Sequence, residues 1–221
     1  MGRAGRHAVI LCHPDPHSFN HAVATAYCDA VRVAGQDVVI RDLYALAFDP
    51  VLKADERPTV ESPVRCPDVT RELDLITGSD VFVLIYPIWF GSPPAMMKGY
   101  IDRVLGAGVS PADVQQQVRA GLLGNKRLLS FTTSATTNIW LNEQGQEQGL
   151  RSVLDNYLVH AFGMHSQEHH RFDDITPDLS ERVAQRYLRE TALHAQRVCA
   201  HIAFGDEAIW QDPKLVRGFA R

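Results

Sequence analysis

Short apolar runs alternate along this chain with stretches of helical period. Ala8–Cys12 is continuously apolar, as strands buried on both faces are. Val38–Ile40, Val81–Ile85, Arg127–Phe131 and His165–Phe172 read as the next four strands. After the first of them Ser18 is a good N-cap, and Ala22, Val23, Ala26 and Val33 recur at helical spacing over Phe19–Val33. Gly35 suits the position that ends that helix. Pro67–Thr77, Pro93–Leu105, Gly149–Phe162 and Leu179–Ala203 read as the remaining helices, with Gly78 and Gly163 as stops. Strands alternating with helices predict an α/β three-layer sandwich, a parallel sheet covered on both faces. Five strands fit the order 2-1-3-4-5, whose ligand crevice lies outside the carboxyl ends of the strands, beside strand 1.

Two stretches escape the pattern. Residues 43–66 form a long connector holding Pro50, Pro58 and Pro63, and connectors of that length in compact domains are often functional. The tail, residues 204–221, is irregular and carries Trp210 and Phe219. At 221 residues, with no internal repeat, the chain suits one domain, 1–221. A net charge of −4 argues against a nucleic-acid binder, which would show a basic face. No apolar run approaches the ~20 residues that span a bilayer, and the basic N-terminus lacks a signal peptide's long apolar core, so a cytoplasmic location is expected. Cys12, Cys28, Cys66 and Cys199 show no CxxC spacing and read as reduced, packed thiols.

The chemistry gathers at strand ends. Tyr86-Pro87-Ile88-Trp89-Phe90-Gly91-Ser92-Pro93-Pro94 follows the third strand. Turns usually carry small polar residues. Two large aromatics beside rigid backbone suit a flat ring, with apolar walls and main-chain N–H groups at its edge. The first βα loop opens a helix at Ser18-Phe19-Asn20, whose free amides and dipole favour a phosphate, with the Ser18 hydroxyl and His13 imidazole nearby. Neither GxGxxG nor a Walker A sequence is present. The ligand this combination suggests is a flavin.

Four blocks then carry a resemblance: His13 with Ser18-Phe19-Asn20; Asp42-Leu43-Tyr44-Ala45 with Phe48-Asp49-Pro50; Pro87-Ile88-Trp89-Phe90-Gly91 with Pro94; and Met97-Lys98-Gly99-Tyr100-Ile101-Asp102-Arg103-Val104. The chain resembles the flavodoxin-like NAD(P)H:quinone oxidoreductases, the match anchoring residues 7–140. The resemblance implies FMN or FAD as cofactor and NAD(P)H as reductant, with quinones reduced by two electrons in a ping-pong cycle. It implies that His13, Ser18, Phe19 and Asn20 hold the flavin phosphate. Pro87, Ile88, Trp89 and Phe90 would line the ring, and Thr132, Thr133, Ser134 and Ala135 would meet its pyrimidine end. Trp140 and Gln146 stand, by spacing, where mammalian members have a Tyr and a His that assist charge transfer. No catalytic step is assigned; Trp89, Thr133 and Trp140 are the candidates. A homodimer with the pocket at its interface is expected.

An alternative is a flavoprotein ancillary subunit of a bacterial potassium-efflux system, a part some relatives play. A one-electron carrier fits poorly because such proteins are shorter and lack the 43–66 connector. The metal readings are weaker still. His13, His17 and His21 are spaced i, i+4, i+8, but Pro14 and Pro16 forbid one helix. His165 and His169 would share a strand face, with His170 on the other, and a solvated or interface strand is the better reading. Lys98 and Arg103 read as a solvated or dimer-facing surface.

Overall fold

In a computed structural model, residues 4–116, 121–137, 139, 143 and 145–205 are described. The apolar runs become β1 (Arg6–Leu11), β2 (Asp37–Asp42), β3 (Val81–Pro87), β4 (Arg127–Thr133) and β5 (Ser166–Phe172). They pair in parallel in the order β2-β1-β3-β4-β5. All seven residues of β3, at the sheet's centre, are buried. Successive side chains take opposite faces, so Phe82, Leu84 and Tyr86 join one apolar cluster while Val81, Val83 and Ile85 join the other.

Helix α1 (Phe19–Val33) and a long C-terminal helix, Glu181–Phe204, cover the second face. Gly35, at φ 70°, ends α1 as expected. The first face is covered by α2 (Pro67–Ile76), α3 (Ala95–Tyr100), α5 (Gln146–Leu150) and α6 (Tyr157–Phe162), while α4 (Pro111–Gln115) packs beside α6 with none of its residues buried; the C-terminal helix is α7. Two helices depart from the periodic reading. α3 runs into a π-helical segment, Ile101–Leu105, and another, Arg151–Asn156, joins α5 to α6. Wider turns of this kind shift which side chains point inward and recur at functional sites. α4 lies between the third helix and the fourth strand read from the sequence; Ser110 and Asp113 close a reciprocal capping box at its start.

β3 and β4 each run two residues past their apolar runs. Tyr86 pairs with Thr132 and Pro87 with Thr133, and the ladder continues because both threonine hydroxyls find buried partners. Thr132 and Thr133 are therefore strand residues, where a loop was expected.

The connector is held by one side chain. Arg103 is buried, which overturns its surface reading. Its guanidinium donates to Glu56 (2.7 and 2.9 Å), to Asp68 (2.8 and 3.1 Å) and to the Asp49 carbonyl (2.5 Å). All five of its N–H donors are thereby used, and it sits 5.4 Å from the centre of the Phe48 ring. Lys98 is exposed as expected and pairs with Asp102. A Cβ on Gly99 would collide with the backbone of Pro50. The Lys-Gly-Tyr and Phe-Asp-Pro blocks of the sequence thus meet in space, and only glycine allows the approach.

Candidate cofactor site at the carboxyl ends of the strands

Three loops converge outside the carboxyl ends of β1, β3 and β4. Asn20, buried in the first turn of α1, donates to the Thr133 hydroxyl at 2.9 Å. The Thr133 carbonyl accepts from the Ile88 amide at 2.8 Å. His13 and Trp89 bring their rings to 6.0 Å between centroids. The sequence-predicted residues His13, Ser18, Phe19, Asn20, Ile88, Trp89 and Thr133 are thus gathered by the fold.

The first loop has the character of an anion site. Ser18 has extended backbone at the N-cap position, and its amide is turned back to the Asp15 carbonyl. The amides of Phe19 and Asn20 have no protein partner among the described residues, as expected for a helix start. His13 Nδ1 meets the backbone of Asp15, 3.1 Å from its amide and 3.3 Å from its carbonyl. Burial holds this imidazole below its ordinary pKa, in the neutral form that can still donate one N–H. The Ser18 hydroxyl, expected to face a phosphate, instead bonds His21 Nδ1 at 2.9 Å, and His21 Nε2 meets Asp42 at 3.0 Å. Asp42 also accepts the amides of Tyr44 and Ala45. This chain ties the loop to the start of the connector. A cavity of about 570 Å³ opens beside the loop, lined by His13, Ser18, Phe19, Ile175, Thr176 and Leu179.

The aromatic turn differs in part from expectation. Pro87 ends β3 and is buried. The amides of Ile88 and Trp89 are taken, by Thr133 and by a two-way bridge with Ser92. Donation to a ring edge therefore falls to Phe90 and Gly91, whose amides have no partner among the described residues. Phe90 sits at φ 49° and is fully exposed, at 107 %. A bulky residue held there is strained, and its ring packs against none of the described residues. Trp89, at 39 %, is half-exposed toward His13.

The third loop is narrower than expected. Thr132 and Thr133 spend their hydroxyls inside the protein. Ser134 bonds the Thr136 hydroxyl and amide, and its backbone joins Phe172 and Ile175. Ala135 and Thr136 are exposed at the crevice edge. Trp140 lies outside the described residues, as does the tail beyond residue 205.

One group was missed in the sequence. His169 on β5 places Nδ1 2.5 Å from Asp155 and Nε2 2.8 Å from the Thr132 hydroxyl. The His169 and Asp155 side chains are 3 % and 1 % exposed, so the solvated-strand reading fails here. The alternation of β5 points His169 to this face. Only the π-helical segment brings Asp155 under it, and no spacing rule reveals that. The trio backs the end of β4 from beneath, and the buried Tyr86 hydroxyl, on the strand beside it, has no hydrogen-bond partner among the described residues.

The residues present fit a flavin mononucleotide moiety. Free amides and a neutral imidazole N–H suit the phosphate, an indole the ring face, and Asn20 Oδ1 remains a buried acceptor without a partner. A parallel five-stranded sheet in this order, with a nucleotide-type crevice at its switch point, defines a flavodoxin-like protein. A family model described as flavodoxin-like fold matches residues 6–195, and the chain belongs to that family. It is 32% identical over 170 residues to an uncharacterized NAD(P)H oxidoreductase of Haemophilus influenzae, covering 76% of this chain and 84% of that one. It is 27% identical to NAD(P)H dehydrogenase [quinone] 1 of Rattus norvegicus, over 67% of this chain and 60% of the rat enzyme's length. An FMN-dependent NADH-azoreductase of Bacillus anthracis, solved with FMN, shares the fold at TM-score 0.63 and 16% identity, covering 88% of this chain and 99% of its own.

Proposed function

We propose that this chain is a flavin-dependent NAD(P)H:quinone reductase acting as a homodimer in the cytoplasm. The observation that carries the reading is the convergence of the His13–Asn20 loop, the Trp89 turn and the Thr133 strand end on one crevice, joined by direct hydrogen bonds. The relatives named above support the activity: one is an NAD(P)H oxidoreductase, another a quinone dehydrogenase, and the solved structure holds FMN. They lend no support to an ancillary transporter subunit. A flavin bound there supplies the hydride acceptor and two-electron donor. The protein's part is positional. The Phe19 and Asn20 amides and His13 fix the phosphate, and Trp89 sets the height of the ring. The Phe90 and Gly91 amides reach the ring's edge. Nicotinamide and quinone then use one stacked place in turn, and orientation accounts for most of the catalysis.

A second copy of the chain would complete the pocket. An apolar cavity of about 640 Å³, lined by Leu52, Ile101, Val109, Val153 and Tyr157, lies open between the connector and the π-helical segments. Val153, at 75 % exposure, and Tyr157, at 56 %, extend it across the surface. Monomeric proteins rarely leave such faces bare. Among the described residues no helix is long and apolar enough to cross a membrane.

The test is reconstitution. Purified protein is loaded with FMN or FAD, reduced anaerobically by NADH or NADPH, and challenged with a benzoquinone. Bleaching of the flavin band followed by recovery supports the proposal. A protein that binds neither flavin overturns it, and a monomer by light scattering overturns the dimer.

A further inference from the structure

On the sheet face that carries α7, two buried ring nitrogens lack hydrogen bonds among the described residues. They are His170 Nε2 on β5 and His194 Nδ1 on α7. Their rings are in stacking contact, 3.4 Å apart between centroids and tilted by 31°, so the two must swing apart to turn both nitrogens on one ion. Glu168 precedes His170 by two residues and so shares its strand face. Its Oε2 stands 3.5 Å from His170 Nε2, beyond hydrogen-bonding geometry. That separation is close to the edge of a tetrahedron of N and O ligands around zinc, roughly 3.4 Å for bonds of about 2.1 Å. One ligand atom from each of the three residues lies within 4.8 Å of the other two.

The charge state suits a cation. Burial, then repulsion from His170, hold the His194 imidazole down at about 4, so its lone pair is free at neutral pH. The neighbouring His170 imidazole keeps the Glu168 carboxylate below its ordinary range. Arg197 and His201 of α7 also act on the group electrostatically, and Arg197 opposes a cation. Two imidazoles and a carboxylate are nonetheless a ligand set for first-row divalent metals. A second cluster of ligating side chains among the described residues, Glu56, Cys66 and Asp68, differs because the Arg103 guanidinium already fills it. His169, which the sequence grouped with His170, is committed to Asp155 and Thr132 on the opposite face.

We propose that Glu168, His170 and His194 form a site for a first-row divalent transition metal, best fitted by Zn²⁺, with a fourth position open to solvent. Glu168, with 46 % of its side chain exposed, gives the ion its entry. The bound ion staples α7 to β5, the edge strand of the sheet. The site shares no residue with the flavin crevice and stands whether or not a flavin binds.

Equilibrium dialysis of the full chain against Zn²⁺, with metal counted per chain, tests this. Co²⁺ substitution adds a ligand-field spectrum as a reporter of coordination. The expected result is one Zn²⁺ per chain, a tetrahedral-type Co²⁺ spectrum that Zn²⁺ displaces, and a higher unfolding temperature with Zn²⁺. Glu168→Gln leaves the fold intact, since the residue is exposed, and should weaken binding by at least tenfold. His194→Phe should abolish it, while His13→Gln should bind as the parent does. Binding that Glu168→Gln and His194→Phe leave unchanged overturns the site, as does the absence of stoichiometric binding by the parent.

Discussion

Replacing Arg103 with Met tests whether the connector is held by charge. The perturbation removes five hydrogen bonds and leaves Glu56, whose side chain is 5 % exposed, without its counter-ion. Arg103 is itself permanently charged, so the titration falls on its partners. Hydrogen bonding to Arg103 lowers the Glu56 carboxyl from 4.5 to about 2, equivalent to about 3 kcal/mol. Because the folded pKa is depressed, that contribution is complete above pH 4.5 and is lost as pH falls through about 2. Removing one partner of a buried pair independently suggests ~3–5 kcal/mol. The expected result in urea at pH 7 is a loss of about that size, shrinking as the pH is lowered through 4.5 toward 2. Hydrogen exchange should show faster amides over residues 43–66 even if the sheet holds. Arg103→Met with Glu56→Gln should recover part of the loss, since the stranded charge is gone. A single variant within about 0.5 kcal/mol of the parent, with connector exchange unchanged, would refute the clamp.

Gly99→Ala should destabilise by roughly 1–3 kcal/mol, since its methyl meets the Pro50 backbone; a thermal melt checks it. Asn20→Ala removes the bond to Thr133 and should weaken flavin binding by about three- to tenfold, read by fluorescence quenching on titration. Trp89→Ala should weaken flavin binding by about two- to tenfold, with the indole face lost, while leaving the unfolding midpoint in urea nearly unchanged because the residue is half-exposed. His169→Ala strands Asp155 in the interior and should cost about 3–5 kcal/mol in urea; a loss below about 1 kcal/mol would show that the pair is not buried as described.

Much of the architecture was legible because burial leaves a direct trace. Val81–Ile85 is apolar at every position and lies at the centre of the sheet, and Gly35 marks the end of α1. Strand ends were less legible. Thr132 and Thr133 look like loop until His169 and Asn20 supply partners for their hydroxyls. Those partners come from elements 37 and 113 residues away in sequence. Arg103 was misread for a similar reason. A guanidinium is placed at the surface by default, and nothing local signals that Glu56, Asp68 and Asp49 converge on it. The donors of the aromatic turn were foreseen as a group but misassigned, because the Thr133 carbonyl takes the Ile88 amide and the bridge to Ser92 takes that of Trp89. Asp155 depends on a π-helical register that hydrophobic period does not encode.

Thr133 holds two of the crevice walls at once, its carbonyl gripping Ile88 and its hydroxyl receiving Asn20. The first bond uses the main-chain carbonyl and survives any substitution at 133; the second needs a side-chain oxygen there. Drift at the two positions is therefore linked. A lineage that replaces Thr133 with an apolar residue strands the Asn20 amide in the interior, and selection then favours a compensating apolar residue at position 20. Across the family the pair should appear as amide with hydroxyl or as two apolar residues, with mixed combinations rare.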